Sequence, residues 1–183
     1  AVVIVCLAAG CGGHRSDTDW PLPNADLAGT RAAVDATIDS RNVADLRVRW
    51  RFRFRAPRSY SGSFASTPIV VGDTVYVQDL RSNVFALDRA SGAVRWKRSY
   101  GFRNDGPNGL ASGDARVYGE TDSEALALDA KTGHELWRRH LTSATEQFVD
   151  VAPVFWKGLV LIGTVGYPPG GRGAVYALDA ETG

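Results

Sequence analysis

The chain has 183 residues, with 21 Lys and Arg against 20 Asp and Glu, so its formal net charge is +1 at pH 7. This balance argues against a general nucleic-acid or polyanion binder, in which basic residues would dominate. A hydrophobic fraction of 44% and a charged fraction of 22% exclude a disordered tail and are typical of a globular protein.

The first eleven residues are typical of the end of a secretory signal. Residues 1–10 read AVVIVCLAAG, an apolar run much shorter than the roughly 18 residues that a membrane-spanning helix needs. The stretch Leu7-Ala8-Ala9-Gly10-Cys11 resembles a bacterial lipoprotein box, in which small residues precede the cysteine that is lipidated after cleavage. We expect Cys11 to carry lipid and Cys6 to leave with the signal; the alternative is a buried apolar strand with an incidental cysteine. After cleavage no cysteine would remain for a disulfide or a thiolate metal site.

Residues 12–44 precede the first clear strand. Gly, Asp and Pro are frequent in residues 12–24, which predicts a flexible tether. Residues 24–44 are polar, with scattered apolar positions and no turn-bounded runs. The sequence therefore divides into a signal remnant (1–11), a tether with an N-terminal segment (12–44) and a repeat domain (45–183).

Residues 45–54 have the pattern of a single strand. Arginine alternates with Val, Trp and Phe from Arg47 to Arg55, which is the period of a strand with two different faces. Such a basic strip could suit a nucleic acid, but the balanced net charge favours a solvated face that resists edge pairing. Nothing upstream supplies neighbouring strands, so we expect them to come from sequence beyond Gly183.

A repeat covers the rest of the chain. Residues 75–98, 117–139 and 160–183 share Ala-Leu-Asp-x-x-[Ser/Thr]-Gly, followed by a Trp eight residues after the Asp. The repeated positions are Asp88, Asp129 and Asp179, which are 41 and 50 residues apart, with Trp96 and Trp137. The third Trp would fall just beyond the last residue, which indicates a piece of a longer protein. A period of 40 to 50 residues is typical of a solenoid, a propeller or an array.

Each repeat has the marks of four short strands. Runs of β-branched and aromatic residues, such as residues 75–77 and 84–87, are separated by turn residues. Four antiparallel strands per repeat describe a propeller blade. We therefore predict an all-β propeller with blades at about 67–99, 108–140 and 152–183, the last one incomplete, and seven or eight blades in the full protein.

The repeated Asp, Gly and Trp are predicted to form the turns and the packing of each blade. An Asp side chain can accept hydrogen bonds from backbone N–H groups two residues onward, and Gly92 or Gly133 can take the positive φ that closes the hairpin. The Trp ring can pack between adjacent blades. We therefore interpret the repeated Asp, Gly and Trp as structural before catalytic.

At this point a resemblance is plain. The pattern Ala-x-Asp-x-x-[Thr/Ser]-Gly-x-x-x-Trp resembles the tryptophan-docking repeat of propellers of the pyrroloquinoline-quinone (PQQ) type. Residues 26–31 and 42–52 look like the N-terminal segment of quinoprotein alcohol dehydrogenases. The similarity covers about residues 20–183 and implies the fold. It implies activity much less, because noncatalytic envelope propellers use the same repeat.

The loops of such a propeller differ at its two ends. The turns between first and second and between third and fourth strands are short, whereas residues 55–66, 99–107, 141–151 and 164–173 are long and meet at the other end. Long loops on one end of a rigid scaffold are where binding residues accumulate. We call this end the loop-rich face. Its candidate binding residues are Arg58, Tyr60, Arg103, Asn104, Asp105, Glu146, Gln147, Asp150, Tyr167 and Arg172.

The resemblance also implies a cofactor site. Quinoprotein dehydrogenases use PQQ with a cation, usually calcium, and a carboxylate base, and calcium prefers several oxygen ligands. Their Glu ligand lies in the loop that corresponds to residues 163–173, where this chain has Pro168. Their adjacent-cysteine disulfide is absent, and their quinone-contacting Asn-Arg-Gly survives as Asn108-Gly109. Thr121 matches a quinone-contacting Thr of that family. The resemblance therefore implies Asn108 and Thr121 as candidate cofactor contacts, and the sequence predicts no metal ligand.

Two functions follow from these observations. The first is an envelope-anchored lipoprotein propeller, in the periplasm or at the cell surface, that binds an envelope protein or a small molecule on its loop-rich face. The alternative is a PQQ-dependent dehydrogenase that oxidises an alcohol or a polyvinyl-alcohol-like substrate with PQQ and calcium. The missing ligands favour the binding scaffold, and the N-terminal segment favours the enzyme.

Overall fold

The structure is a computed structural model that describes residues 19–33, 37–54, 64–104, 106, 109–142, 147–166 and 171–183. Among these residues, helical structure is limited to one 3-10 turn, Val43–Asp45. Several predictions from the sequence lie outside the described residues: those for Cys11, Arg58, Tyr60, Asp105, Asn108, Glu146, Tyr167 and Pro168.

The first blade is a four-stranded antiparallel sheet. Its strands pair in chain order: β1 (Ile69–Val71), β2 (Thr74–Gln78), β3 (Val84–Asp88) and β4 (Val94–Arg98). The outer strand is more exposed than the inner ones: β2 is buried throughout, whereas β4 contains only exposed and half-buried residues.

The second blade repeats this sheet, and the third repeats part of it. The second contains β5 (Ala111–Gly113), β6 (Arg116–Glu120), β7 (Glu124–Asp129) and β8 (Glu135–His140). The third contains β10 (Val154–Trp156), β11 (Leu159–Gly163) and β13 (Val175–Asp179), while β9 (Gln147–Phe148) and β12 (Val165–Gly166) form a separate two-stranded ladder. The predicted all-β fold with four-stranded antiparallel blades is confirmed.

The first strands of the blades lie side by side. Thr67 and Gly109, just before β1 and β5, form a parallel bridge, and β5 also contacts β10. The aromatic ring of Phe155 on β10 stacks on Tyr118 of the second blade, with 5.5 Å between ring centroids and 4° between planes. One apolar cluster therefore joins the first and second blades, and another joins the second and third.

Residues 19–25 pack against these inner strands. The backbone of Trp20 exchanges two hydrogen bonds with Val70 (2.6 and 2.8 Å), and the carbonyl of Pro21 accepts one from Ser112 N (3.2 Å). Leu22 is only 6% exposed and joins the core of the second and third blades. The flexible tether predicted for residues 12–24 therefore does not describe residues 19–24, because a short apolar segment satisfies the open edge of two inner strands.

Three tryptophans connect each blade to the next by the same contact. The indole N–H of Trp96 donates to Ala130 O (3.0 Å), and that of Trp137 donates to Ala180 O (3.0 Å). Trp50, in the segment before the first blade, donates equivalently to Arg89 O (2.9 Å). In each case the acceptor is the carbonyl one residue after the Asp of the repeat, so the turn of one blade receives the ring of the previous one.

The turns that receive these rings are built as the sequence pattern predicts. Asp88 Oδ1 accepts hydrogen bonds from the backbone N of Ser91 (2.8 Å) and from its hydroxyl (2.7 Å). Asp129 Oδ1 binds Thr132 and Asp179 Oδ1 binds Thr182 in the same way. Gly92, Gly133 and Gly183 have φ values of +72°, +71° and +76°, which only glycine adopts readily.

Residues 46–54 have no strand partner among the described residues. Trp50, Phe52 and Phe54 are half-buried against the first blade, while the intervening arginines are exposed. The exposed arginines agree with the predicted solvated face, but residues 46–54 form no strand with the described residues, so the closing strand stays a prediction. No helix of the described residues is both long enough and apolar enough to cross a membrane.

Candidate functional site

The loop-rich face contains the ends of β2, β6 and β11 and the connections between blades. In the first blade the turn of residues 79–83 is held by its own side chains. Asp79 Oδ1 accepts the backbone N–H groups of Arg81 and Asn83 (both 2.9 Å), and Asp79 Oδ2 accepts Asn83 Nδ2 (2.9 Å). Asn83 Oδ1 then accepts Tyr100 N (2.9 Å), which ties this turn to the connection toward the second blade.

A polar cluster is buried between the first two blades at this face. Gln78 ends β2 and Glu120 ends β6; both are completely inaccessible to solvent. Asn104, in the connection between the blades, is almost fully buried and donates from Nδ2 to Glu120 Oε1 (3.0 Å). Gln78 Nε2 donates to the backbone carbonyl of Glu120 and to Ser82 O (3.3 Å). We call Gln78, Asn104 and Glu120 the interblade cluster.

Glu120 is an unusual residue to bury, since an isolated carboxylate in a protein interior is costly. Its pKa is raised to about 8, and burial is the largest cause. Hydrogen bonding from Asn104 and, less strongly, from Gln78 opposes the shift, whereas the nearby negative charge of Asp150 adds to it. No described residue forms an ion pair with Glu120, and its Oε2 has no hydrogen-bond partner among them. The inner part of the face therefore holds an acid that favours its neutral form.

Two of the predicted binding residues line one small cavity next to this cluster. Arg103 and Thr121 border a volume of about 170 Å³ together with Phe102, Asp122, Ser123 and Glu124. Thr121 is buried, and its hydroxyl donates to Glu124 Oε2 (3.3 Å) within its own turn. The cavity is smaller than the roughly 300 Å³ at which pockets for drug-sized ligands begin.

The remaining described candidates lie toward the third blade. Gln147 Nε2 donates to Arg172 O (2.6 Å), which joins two loops of the face beside the β9–β12 ladder. Asp150 lies close enough to Glu120 to act on its pKa. Arg103, Asn104, Thr121 and Asp150 therefore lie at the junction of the first two blades.

A larger cavity, of about 440 Å³, lies beside the first blade between residues 52–54 and the side chains of Phe85 and Lys97. Its walls include the stretch that has no strand partner among the described residues. We therefore interpret this space as a gap at a blade edge and assign the candidate site to the junction around Glu120.

Sequence reasoning missed Gln78 and Glu120. Both occupy the last position of the second strand of their blade, in Val75-Tyr76-Val77-Gln78 and Val117-Tyr118-Gly119-Glu120. A polar residue at the end of an apolar strand usually indicates the start of a turn, so neither residue was a candidate for the site. The signal that could have found them is their equivalence in the two repeats, because equivalent positions of adjacent blades lie side by side.

The interblade cluster by itself does not fit PQQ, the group that the resemblance implies. A quinone that carries carboxylates needs cationic side chains or a metal ion held by oxygen ligands. The described part of the chain contains no group of three or more His, Cys, Asp and Glu side chains that could hold a metal. Its one completely inaccessible carboxyl group is that of Glu120, and the cavity beside Arg103 and Thr121 is small.

Comparison with family models gives two matches along the chain. Residues 20–116 match the PQQ model described as the β-propeller domain of glucose, ethanol and alcohol dehydrogenases. Residues 101–183 match the second PQQ model, described as the outer membrane protein assembly factor BamB. Together the two matches span all three blades.

Similar curated proteins include alcohol and methanol dehydrogenases. The chain is 36% identical over 177 residues to a quinohemoprotein alcohol dehydrogenase of Comamonas testosteroni, which covers 90% of this chain and 24% of the relative. It is 33% identical over 184 residues to a lanthanide-dependent methanol dehydrogenase of Methylacidiphilum fumariolicum (strain SolV), covering 93% of this chain and 30% of the relative. The chain thus spans about a quarter to a third of the length of these relatives.

Solved structures give the same result. The quinohemoprotein alcohol dehydrogenase from Comamonas testosteroni superposes with a TM-score of 0.81 at 31% identity, over 92% of this chain and 27% of that one. A europium-containing methanol dehydrogenase gives a TM-score of 0.80 at 32% identity, over 92% of this chain and 31% of that one. The chain therefore belongs to the PQQ-repeat family of β-propeller domains.

Proposed function

We propose that this protein is an envelope-anchored propeller lipoprotein that binds a partner, an envelope protein or a small molecule, through its loop-rich face and has no intact quinone site in this portion. The observation that supports the proposal is the interblade cluster. The junction of the first two blades at that face holds a buried acid among neutral amides, and its pKa of about 8 favours the uncharged form. An anionic quinone needs compensating positive charge, which this cluster does not supply.

The anchor in this proposal is a lipid on Cys11. The resemblance of residues 7–11 to a lipoprotein box supports it, and the BamB description of the second family model agrees with an envelope location. A cysteine that carries several acyl chains would hold the protein firmly, whereas a single chain anchors only marginally.

The alternative function is a PQQ-dependent alcohol dehydrogenase, with PQQ and calcium or a lanthanide as cofactors. The identity of 36% to a quinohemoprotein alcohol dehydrogenase and of 33% to a lanthanide-dependent methanol dehydrogenase, each across at least 90% of this chain, favours it. Activity would then depend on cofactor ligands supplied by the rest of the protein, because the described residues do not provide them.

Dye-linked alcohol oxidation by the full-length protein separates the two functions. The protein is reconstituted with PQQ and either calcium or lanthanum, and short alcohols are offered with an artificial electron acceptor. The scaffold proposal predicts no rate above that of protein without PQQ. A rate that requires both PQQ and the cation would make the dehydrogenase the function.

Site-specific photocrosslinking in cells tests the binding face. A photoreactive residue replaces Arg103 or Arg172 on the loop-rich face, and Lys131 in an exposed turn at the opposite end serves as the matched control. We expect a shared adduct from the first two positions and none from the third. Adducts of equal yield from both ends would contradict a loop-face partner.

A further inference from the structure

An apolar cavity lies at the end of the propeller opposite the loop-rich face. That end contains the turns between first and second strands, including the β10–β11 turn that begins at Lys157, and we call it the turn end. The cavity has a volume of about 290 Å³. Buried Leu22 and half-buried Phe155 line it, together with the exposed side chains of Leu27, Trp156 and Lys157.

The exposed residues of this cavity form an amphipathic group. Leu27 is 58% exposed and Trp156 is 42% exposed. Single exposed apolar side chains are common on soluble proteins, but these two line the same cavity as buried Leu22. The ammonium group of Lys157 lies 5.1 Å from the centroid of the Trp156 ring. Tryptophan is enriched where a membrane meets water, and lysine can lay its stem on apolar surface while its ammonium stays in water.

The blade itself does not require a large ring at position 156. Trp156 is the last residue of the first strand of its blade. The equivalent residues are Val71 in the first blade and Gly113 in the second. The neighbouring ring of Phe155 stacks on the second blade and serves the core, whereas the Trp156 ring is largely left at the surface. A role in the scaffold therefore explains Phe155 and does not explain Trp156.

The N-terminal segment reaches the propeller at this same end. Asp19 Oδ1 accepts a hydrogen bond from Gly72 N (2.7 Å), and Gly72 lies in the β1–β2 turn. Cys11, the residue to which the proposed function assigns a lipid, is eight residues before Asp19. Eight residues of fully extended chain span at most about 29 Å. A lipid on Cys11 would therefore hold the turn end near the membrane surface.

The charges near the cavity suit a membrane without net charge. The turn end carries acidic and basic side chains together, with Asp73 in the β1–β2 turn, and Asp114 and Arg116 at the β5–β6 turn, beside Lys157 of the third blade. This end is therefore not the basic surface that attraction to anionic lipids requires. Apolar contact is the attraction that Leu27 and Trp156 can supply, and it acts on a zwitterionic phospholipid surface as well.

We propose that Leu27, Trp156 and Lys157 form a membrane-contacting patch, which lies in the headgroup region of the bilayer that holds the lipid of Cys11. The proposal rests on the lipid anchor of the proposed function. Leu27 and Trp156 enter the boundary between headgroups and acyl chains, and the Lys157 ammonium stays among the phosphates. The patch gives the anchored propeller a fixed orientation, in which the loop-rich face points away from the membrane toward its partner.

Fluorescence of the full-length lipoprotein on phosphatidylcholine vesicles tests the proposal. Lys157→Cys carries an environment-sensitive dye at the patch, and Arg172→Cys carries the same dye on the loop-rich face as the matched control. The lipid blocks Cys11, and Cys6 leaves with the signal, so the dye reacts with the introduced thiol. We expect the dye at 157 to lie about 5–10 Å into the headgroup boundary. Its emission should shift to shorter wavelength and be quenched by lipids with a shallow quencher, whereas the dye at 172 should show neither effect.

Substitutions in the patch separate its role from that of the anchor. In a protein with Leu27→Ser and Trp156→Ser, the dye at 157 should lose its shift while the protein still sediments with the vesicles through its lipid. Val175→Ser, at an apolar residue that is 83% exposed and lies outside the cavity, is the matched control and should leave the shift unchanged. Circular dichroism checks that each variant is folded like the parent.

Sedimentation and fluorescence distinguish the two ways in which the account can fail. Unmutated protein that does not sediment with vesicles would overturn the lipid anchor and, with it, the patch. Protein that sediments while its dyes at 157 and 172 respond equally would overturn the patch and leave the anchor in place. A shift at 157 that grows with protein concentration in the absence of vesicles would assign the patch to a second copy of the chain, which also overturns the proposal.

Discussion

The contact between Trp96 and Gly133 gives the sharpest test of how the blades are joined. Gly133 has φ +71°, and a Cβ added to it would lie 2.6 Å from Trp96 Cε3 and 2.7 Å from Cδ2. Gly72 also has a positive φ, +57°, but a Cβ there would meet no atom within 4 Å. Alanine at Gly133 therefore strains the backbone and displaces the ring, whereas alanine at Gly72 only strains the backbone.

The expected magnitudes follow from these two effects. A positive φ costs a residue with a Cβ about 1–2 kcal/mol, and this cost applies to both variants. Displacing Trp96 also breaks its hydrogen bond to Ala130, which costs about 1 kcal/mol. It further loses part of the packing of the ring; complete removal of a buried Trp side chain costs about 3–5 kcal/mol. Because Trp96 is half-buried, we expect about 3–4 kcal/mol for Gly133→Ala against about 1–2 kcal/mol for Gly72→Ala.

Urea unfolding of the full-length protein measures both values, and a double mutant identifies their cause. In a Trp96→Ala background Gly133→Ala should cost only its backbone strain, about 1–2 kcal/mol, which leaves a coupling energy of about 2 kcal/mol. Equal costs for Gly133→Ala and Gly72→Ala, or a coupling energy near zero, would refute the docking account of the repeat.

Three further outcomes are expected. Fatty-acid labelling in cells should tag the full-length protein, and Cys11→Ser should abolish the label; label retained in that variant would remove the lipoprotein claim. Trp137→Ala should cost about 3–5 kcal/mol in urea unfolding, while exposed Lys131→Ala should stay within about 0.5 kcal/mol; a parental midpoint for Trp137→Ala would contradict its docking role. The hydrogen bond from Arg95 holds the pKa of Asp88 well below its ordinary value of 3.8. The stabilisation that ionised Asp88 gives is therefore present above pH 3.8 and is lost as the pH falls through the folded pKa. Asp88→Asn should lower the urea midpoint at pH 7 and reduce the fall of that midpoint at acid pH, and an unchanged midpoint would exclude this role.

The repeat was predictable because its chemistry is local. Asp88, Ser91 and Gly92 make one turn within five residues, and Trp96 follows at a fixed spacing, so the sequence alone indicates strands, turns and blades. The tryptophan contact itself joins residues 34 positions apart, Trp96 and Ala130. It was still predictable, because the same pattern recurs in the next repeat.

The features that the sequence did not reveal depend on distant partners. Tyr76 and Tyr118 donate from their hydroxyl groups to Ala130 O (3.0 Å) and Ala180 O (3.5 Å), the same carbonyls that receive Trp96 and Trp137. The residues around a tyrosine in a buried strand do not indicate such a hydrogen bond. Residues 19–24 were assigned to a tether because Gly, Asp and Pro are frequent in residues 12–24, yet the open edges of β1 and β5 determine where residues 19–24 lie.

Only part of the candidate site was predictable from the sequence, because the rest of it also depends on residues that are distant along the chain. Long connections place Arg103, Asn104 and Asp150 on the loop-rich face, since loop length is visible in the sequence. The partner of Asn104 is Glu120, at the end of a strand 16 residues later, and Gln78 completes the cluster from the neighbouring blade. Only the packing of the two blades brings these three side chains together.

Calorimetric titration of the full-length protein with PQQ, with and without calcium or lanthanum, tests the central functional claim most directly. The scaffold account predicts no saturable heat at micromolar cofactor under any of these conditions, because the buried acid of the interblade cluster offers an anionic quinone no positive charge. A cation-dependent isotherm of micromolar or tighter affinity would contradict that account and establish the protein as a PQQ-binding member of its family.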